Sequence, residues 1–176
     1  MVNKINEVIE AHVLFGIPFA KIQIKIHPQS VIHSIVILKN GLVNIIGHDT
    51  TMEIPIRNSL FDNNFYSQEN NLFNNKQKIT FSFDEQKLKE FPIFKIANTI
   101  FKRGHVGWIL FNIFNDFLVN KFLKKEIFFY QITSNLLKLY SLSSVKKMCL
   151  NKIKSLSDIE NMMRIGLKFI NNYEIK

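Results

Sequence analysis

The spacing of apolar residues changes from a strand-like to a helix-like pattern between residues 46 and 91, and that change constrains the fold more than any other feature of the sequence. Residues 21–26 alternate strictly between polar and apolar, and residues 31–46 are rich in β-branched side chains, as strands are. From residue 91 onwards, apolar residues recur every three or four positions, as on one face of a helix. We therefore predict an α+β fold in which a strand-containing part precedes a helical bundle.

The first part is predicted to contain a helix, about three strands and a second, short helix. Apolar residues at helical spacing indicate a helix over residues 5–16, which Gly16 ends. Asn40-Gly41 is the strongest short signal for a hairpin turn. The short helix is expected around Pro55. The strands are predicted at residues 21–26, 31–38 and 42–46.

An asparagine-rich stretch without apolar periodicity, residues 62–78, is interpreted as a linker. Ser157 and Glu160 have the spacing of a capping box at the start of the last helix. The predicted domains are residues 1–60 and 91–176, with residues 61–90 between them. The helices of the bundle are predicted at residues 92–101, 108–122, 132–142 and 157–171.

The chain is basic, with 23 Lys and Arg against 14 Asp and Glu and a net charge of +9. Such a balance makes nucleic-acid binding a hypothesis to weigh. Only 3 of the basic residues are arginine, however, and the chain also contains 20 asparagines and 17 phenylalanines. Lys, Asn and Phe have codons rich in A and T, so a drift in genome composition accounts for the charge. We predict no nucleic-acid partner.

The sequence also argues against a disulfide-rich protein, a membrane-spanning protein and a signal peptide. The single cysteine, Cys149, cannot build a disulfide framework. No apolar run approaches the roughly 18 residues of a membrane-spanning helix. The opening sequence MVNKINEVIE has acidic residues where a signal peptide is basic and then apolar. We expect a soluble, cytoplasmic protein without a membrane partner.

Asn3, Lys4 and Glu7 are the strongest candidates for a polar site. At about 100° per residue, all three fall on one face of the first helix. A carboxylate can ligate a hard divalent cation while an amide and an ammonium bind the oxygens of a phosphorylated, hydroxyl-rich ligand. The same spacing also fits a Lys–Glu pair on a solvated helix, and spacing alone favours that simpler interpretation.

Histidine and cysteine give weaker signals. His27 and His33 flank Pro28, which argues against one continuous strand, and a histidine near a strand end is more often hydrogen-bonded and structural than catalytic. Neither has a carboxylate at the spacing of a zinc site. Cys149 lies among lysines, a setting that favours a lowered thiol pKa. No glycine-rich nucleotide-binding motif is present.

Two long blocks of sequence carry a specific resemblance. NKINEVIEAHVLFGIP (residues 3–18) and IHPQSVIHSIVILKNG (residues 26–41) resemble the family of 1-deoxy-D-xylulose 5-phosphate reductoisomerases. The resemblance thins over the linker and returns at FPIFKIA (residues 91–97) and at Phe111-Asn112. Little of it is visible beyond about residue 130.

The resemblance implies the reaction of that family. With NADPH and Mg²⁺ or Mn²⁺, the substrate 1-deoxy-D-xylulose 5-phosphate is rearranged and reduced to 2-C-methyl-D-erythritol 4-phosphate, a step of non-mevalonate isoprenoid biosynthesis. Residues 1–60 would be the C-terminal part of an α/β catalytic domain, and residues 91–176 the C-terminal helical bundle.

The resemblance also implies roles for five residues. Asn3 and Lys4 match positions that bind the sugar phosphate, and Glu7 matches a carboxylate that binds both the metal and the substrate. His33 matches a position near the substrate, where we expect a catalytic role, and Met52 matches one near the nicotinamide of the cofactor. The implied partners are the phosphorylated ketose and either a second copy of the chain or a separate N-terminal half.

The chain also departs from the family pattern. Family members are more than twice as long, with an NADPH-binding domain and an Asp-Ser-Glu metal motif ahead of the part matched here. Ile113 and Phe114 stand where the family has alanines, which indicates either overpacking or relaxed packing. We expect the chain to be inactive alone, since Glu7 is one ligand for an ion that takes about six. The alternative is a non-catalytic remnant or interaction module.

Overall fold

The computed structural model describes residues 1–61, 80–84 and 90–175, and within them the architecture is α+β, as predicted. The chain divides into two compact units, Met1–Ile24 with Lys89–Lys176, and Lys25–Leu88. In chain order the elements are α1 (Val2–Phe15), a 3₁₀ turn (Phe19–Lys21), β1 (Ile32–Ile37), β2 (Val43–Gly47), α2 (Glu53–Leu60), a second 3₁₀ turn (Pro92–Ile96), α3 (Ala97–Lys102), α4 (Gly104–Leu123), α5 (Phe129–Ser141), α6 (Ser143–Met148) and α7 (Leu156–Asn171).

Helix α1 forms where its apolar spacing predicts it. Ile5, Val8 and Ile9 are buried on one side of the helix. Gly16 ends the helix in the left-handed conformation, with φ of 66°, and its backbone N–H donates to the carbonyl of His12 over 3.0 Å. The predicted stop at this glycine is therefore confirmed.

Helix α4 forms the centre of the helical unit, and α7 packs closely against it. Ile113 and Phe114 of α4 are both buried in the core. At Gly166 of α7, an added Cβ would lie 2.8 Å from Leu110 Cδ2 and 3.0 Å from Ile113 Cδ1. The glycine thus leaves the room that the large side chain of Ile113 fills, which favours tight over relaxed packing at this contact.

The start of the last helix differs from the prediction. Ser155, not Ser157, is the N-cap, and its hydroxyl accepts from the backbone N–H of Asp158 over 3.2 Å. Asp158 Oδ2 in turn accepts from the backbone N–H groups of Lys154 and Ser155, each over 2.9 Å, and these bonds lower the pKa of Asp158. The capping box predicted at Ser157 and Glu160 is wrong because Ser155 and Asp158 offer the same chemistry two residues earlier.

The bundle holds two further differences. The predicted helix at residue 92 begins as a 3₁₀ turn and becomes α-helical only over Ala97–Lys102. Helix α6 was not predicted, because six residues are too few to show a helical period. The predicted end of the last helix at Asn171 is confirmed.

The second unit contains the predicted hairpin. Strands β1 and β2 pair antiparallel, and Gly41 lies in the turn with φ of 88°. The backbone N–H of Leu38 donates to the carbonyl of Leu42 over 2.8 Å across that turn. Most apolar side chains of the hairpin are exposed, namely those of Ile35, Val36, Ile37, Leu38, Leu42, Val43, Ile45 and Ile46.

The predicted strand at residues 21–26 is not formed in the described part of the chain. Lys21 belongs to a 3₁₀ turn, and only Ile26 pairs, through an isolated antiparallel bridge to Asp84. Alternation shows which side chains share a face, but a strand also needs a neighbour for its backbone N–H and C=O groups. Among the described residues, Ile26 is the one of this run that has such a neighbour, so the sheet there has two strands rather than about three.

The predicted boundaries at residues 60 and 90 stay a prediction, since most of the linker lies outside the described residues. The compact units group α1 with the C-terminal helices, a grouping that the sequence did not predict. In the described ranges, none of the helices combines the length and apolarity needed to cross a bilayer.

Replacing the cap of α7 tests the corrected helix start. We expect Ser155→Ala to lower the free energy of unfolding by about 1 kcal/mol, because the N–H of Asp158 loses its acceptor. The control Ser157→Ala should change it by less than about 0.5 kcal/mol. Urea denaturation followed by circular dichroism measures both. Equal effects of the two substitutions would contradict the assignment.

Candidate functional site

The polar face of α1 carries the three residues predicted as a substrate site. Asn3, Lys4 and Glu7 are exposed, on the side of the helix opposite to buried Ile5. Lys4 Nζ donates to Glu7 Oε2 over 2.7 Å, and the two side chains are 51% and 53% exposed. The ammonium and the carboxylate are therefore in contact and open to solvent.

An asparagine pair links this helix to α4. Asn6 Nδ2 donates to Asn112 Oδ1 over 2.8 Å, and Asn112 Nδ2 donates to the carbonyl of Trp108 over 3.0 Å. Asn6 Oδ1 is buried and has no hydrogen-bond partner among the described residues. No local sequence pattern predicts this bond, because Asn112 lies 106 positions from Asn6.

Aromatic contacts hold the other end of α1. The ring of His12 stacks on Phe19 at 4.0 Å between centroids, and Phe19 stacks on Phe101 at 4.6 Å. Trp108 meets the rings of His12 and Phe19 edge-on, and its Nε1 donates to the carbonyl of Ile100 over 3.1 Å. The orientation of α1 is thus set at both ends, and with it the direction of its polar face.

The described residues do not fit a complete metal site. They contain no group of three or more His, Cys, Asp or Glu side chains close enough to share an ion. Glu7 offers one carboxylate, and the ammonium of Lys4 lies against it. A hard divalent cation takes about six oxygen ligands, so Glu7 can contribute to such a site but cannot form it.

The other two predicted site residues lie in the second unit. His33 is in β1 and exposed, its Nε2 is 3.1 Å from the carbonyl oxygen of His48, and its ring stacks on that of His48. Met52 directly precedes α2, and its side chain is 70% exposed. His48 is a contact of His33 that the sequence did not predict.

The surroundings of His27 and Cys149 indicate structural rather than catalytic roles. His27 Nδ1 is 2.9 Å from the carbonyl oxygen of Ser82 and its ring stacks on Phe83, as expected of a structural histidine. The lysines that flank Cys149 in sequence do not lower the pKa of its thiol. Partial burial raises the pKa of its thiol, and Arg103 only partly offsets this.

Comparison with known families gives an extended match. A model described as the C-terminal domain of DXP reductoisomerase matches residues 48–165. The match continues past residue 130, so the expectation that the resemblance fades there is wrong. The matched range includes helices α5 and α6 and most of α7.

Two curated relatives show how much of such proteins the chain represents. The 1-deoxy-D-xylulose 5-phosphate reductoisomerase of Leptospira borgpetersenii is 34% identical over all 176 residues, which cover 44% of that relative. The enzyme of the same name from the Wolbachia of Brugia malayi is 36% identical over 164 residues, or 92% of this chain and 41% of the relative. The chain spans less than half the length of the relatives that it matches.

A solved structure shows the same fold. DOX-P reductoisomerase in complex with NADPH, fosmidomycin and magnesium aligns with a TM-score of 0.81 over 97% of this chain and 43% of that one. The sequence identity is 24%, so this likeness concerns the fold.

The exposure of the Lys4–Glu7 pair gives a prediction for stability. We expect Glu7→Gln to change the free energy of unfolding by less than about 0.5 kcal/mol, because an exposed ion pair within one helix contributes only a few tenths. Thermal and urea denaturation measure the change. A loss above about 1.5 kcal/mol would contradict an exposed pair and would mean that Glu7 has a structural role.

Proposed function

This chain belongs to the 1-deoxy-D-xylulose 5-phosphate reductoisomerase family, whose C-terminal domain it matches, and we propose that it supplies the C-terminal portion of such an enzyme. The proposed reaction is the rearrangement and reduction of 1-deoxy-D-xylulose 5-phosphate to 2-C-methyl-D-erythritol 4-phosphate in non-mevalonate isoprenoid biosynthesis. The main support is that a relative of this name matches the whole chain. We place the protein in the cytoplasm, as suits a biosynthetic enzyme.

The polar face of α1 is proposed to bind the phosphorylated substrate. Asn3 and Lys4 would bind oxygens of the sugar phosphate, and Glu7 would contact the substrate and provide one metal ligand. Lys4 and Glu7 neutralise each other in the free chain. A phosphate competes with Glu7 for the ammonium of Lys4, so its arrival frees the carboxylate for a cation. Binding of the phosphate and of the metal would thereby support each other.

The proposed cofactors are NADPH and a divalent cation, Mg²⁺ or Mn²⁺. NADPH and magnesium are named for a solved reductoisomerase of the same fold. When bound, the metal supplies a Lewis acid and NADPH supplies the hydride. Separately, we propose that His33 lies near the substrate in a catalytic role and that Met52 contacts the nicotinamide. Both side chains are exposed, as such contacts require.

The described residues contain no group of three or more possible metal ligands, so we propose that the remaining ligands, like the NADPH site, come from outside these residues. A separately made N-terminal half is one such source, and a second copy of the chain is proposed to dimerise with the first. A second candidate function, a non-catalytic remnant or interaction module, is favoured by the same shortage of metal ligands.

Complementation tests the proposed function. The chain would be co-expressed with the unmatched N-terminal part of the Leptospira borgpetersenii relative, and NADPH oxidation would be followed at 340 nm with substrate and Mg²⁺. We expect activity only when both parts and the metal are present. Glu7→Gln should reduce it by about 100-fold or more, because it removes a metal ligand.

The matched control is Glu160→Gln, an exposed glutamate of α7, which should leave the rate unchanged. An assembled but inactive pair, or no assembly, would contradict the proposed function and favour the non-catalytic module. Equal rates for the two variants would contradict the proposed role of Glu7 and leave the rest of the proposed function intact.

A further inference from the structure

The contact between His33 and His48 is a feature of the hairpin that the proposed roles leave unexplained. The two rings lie face to face, with centroids 3.7 Å apart and planes inclined by 15°. His33 Nε2 is also 3.1 Å from the backbone carbonyl oxygen of His48. One residue therefore meets His33 with both its ring and its backbone.

The pairing of the strands explains how this contact arises. Ile32 pairs with Gly47 and Ser34 pairs with Ile46, so the register is irregular at His33. An extra residue in one strand is a β-bulge, which re-aims a side chain relative to the regular pleat. Backbone pairing extends beyond the two strands. The N–H of His48, the residue after β2, donates to the carbonyl of Val31, the residue before β1, over 3.0 Å.

Gly47 allows this close approach. A Cβ at Gly47 would lie 3.0 Å from the backbone oxygen of Val31, a distance that requires a shift of the backbone. The glycine therefore lets the end of β2 come close enough to β1 for the ring of His48 to cover that of His33. His48 is itself held by a 2.7 Å contact between its Nδ1 and the carbonyl oxygen of Asp49.

Hydrogen bonding defines what His33 can offer a ligand. A backbone carbonyl only accepts, so His33 Nε2 carries the hydrogen in this contact. In a neutral ring, Nδ1 is then left as an acceptor. An acceptor nitrogen suits a hydroxyl group of a ligand, since a phosphate oxygen needs a donor.

We propose that His48 is a positioning residue for His33, whose ring it holds in one rotamer with Nδ1 ready to accept from a hydroxyl of the substrate. The inference rests on the proposed role of His33 near the phosphorylated ketose. His48 acts through stacking and its backbone carbonyl and makes no contact with the substrate itself.

The first arm of the test uses the chain alone. Side-chain scalar couplings measured by NMR should show one χ1 rotamer for His33. His48→Ala removes the stacking ring, so we expect averaged couplings, and His48→Phe should restore a single rotamer because it keeps a flat ring. Unchanged couplings in His48→Ala would overturn the proposal, and so would averaged couplings in His48→Phe.

The second arm uses the complemented enzyme described above. We expect His48→Ala to lower kcat/KM by about 3- to 10-fold and His48→Phe to recover it, in proportion to what one aromatic contact contributes. His105→Ala, at an exposed histidine of α4, is the control. An active wild type with no effect of His48→Ala would overturn this inference alone. An inactive wild type would overturn the proposed function and this inference with it.

Discussion

Burial of one side of α1 is the constraint on which the candidate site depends. Ile5, Val8 and Ile9 are buried on one side of the helix, and Ile5 and Ile9 belong to the hydrophobic core of the helical unit. A helix has only one opposite side, so this burial directs Asn3, Lys4 and Glu7 to solvent. The polar contacts at Asn6 and the ring contacts at His12 then fix the rotation of the helix about its axis.

The C-terminal helices therefore hold α1 in place. Their core is tightly packed where α7 meets α4, because Gly166 admits the side chain of Ile113. Asn112 and Trp108, on the same α4, reach α1 through a hydrogen bond and through ring contacts. The helical bundle is thus the support that gives the polar face of α1 a fixed direction.

Local signals made part of this structure predictable. The glycine that ends α1 and the Asn40-Gly41 turn each act within a few residues, and both were predicted from the sequence. Within the described ranges, the strand predicted at residues 21–26 is not formed, because pairing depends on distant neighbours and Asp84 pairs with Ile26 alone. The cap at Ser155 was missed because Ser157 offers the same side chain two residues later. For the site, the shared face of Asn3, Lys4 and Glu7 followed from helical geometry, but the contact of His33 with His48, 15 residues away, did not.

We propose that the polar face of α1 lies at the metal of an assembled reductoisomerase. The most direct measurement replaces Mg²⁺ by paramagnetic Mn²⁺ in the complemented enzyme, with the chain labelled by ¹⁵N, and records the relaxation of its backbone amides. We expect the strongest broadening over the first two turns of α1 around Glu7, and its loss in Glu7→Gln. Broadening centred on another element, with α1 unaffected, would contradict the claim.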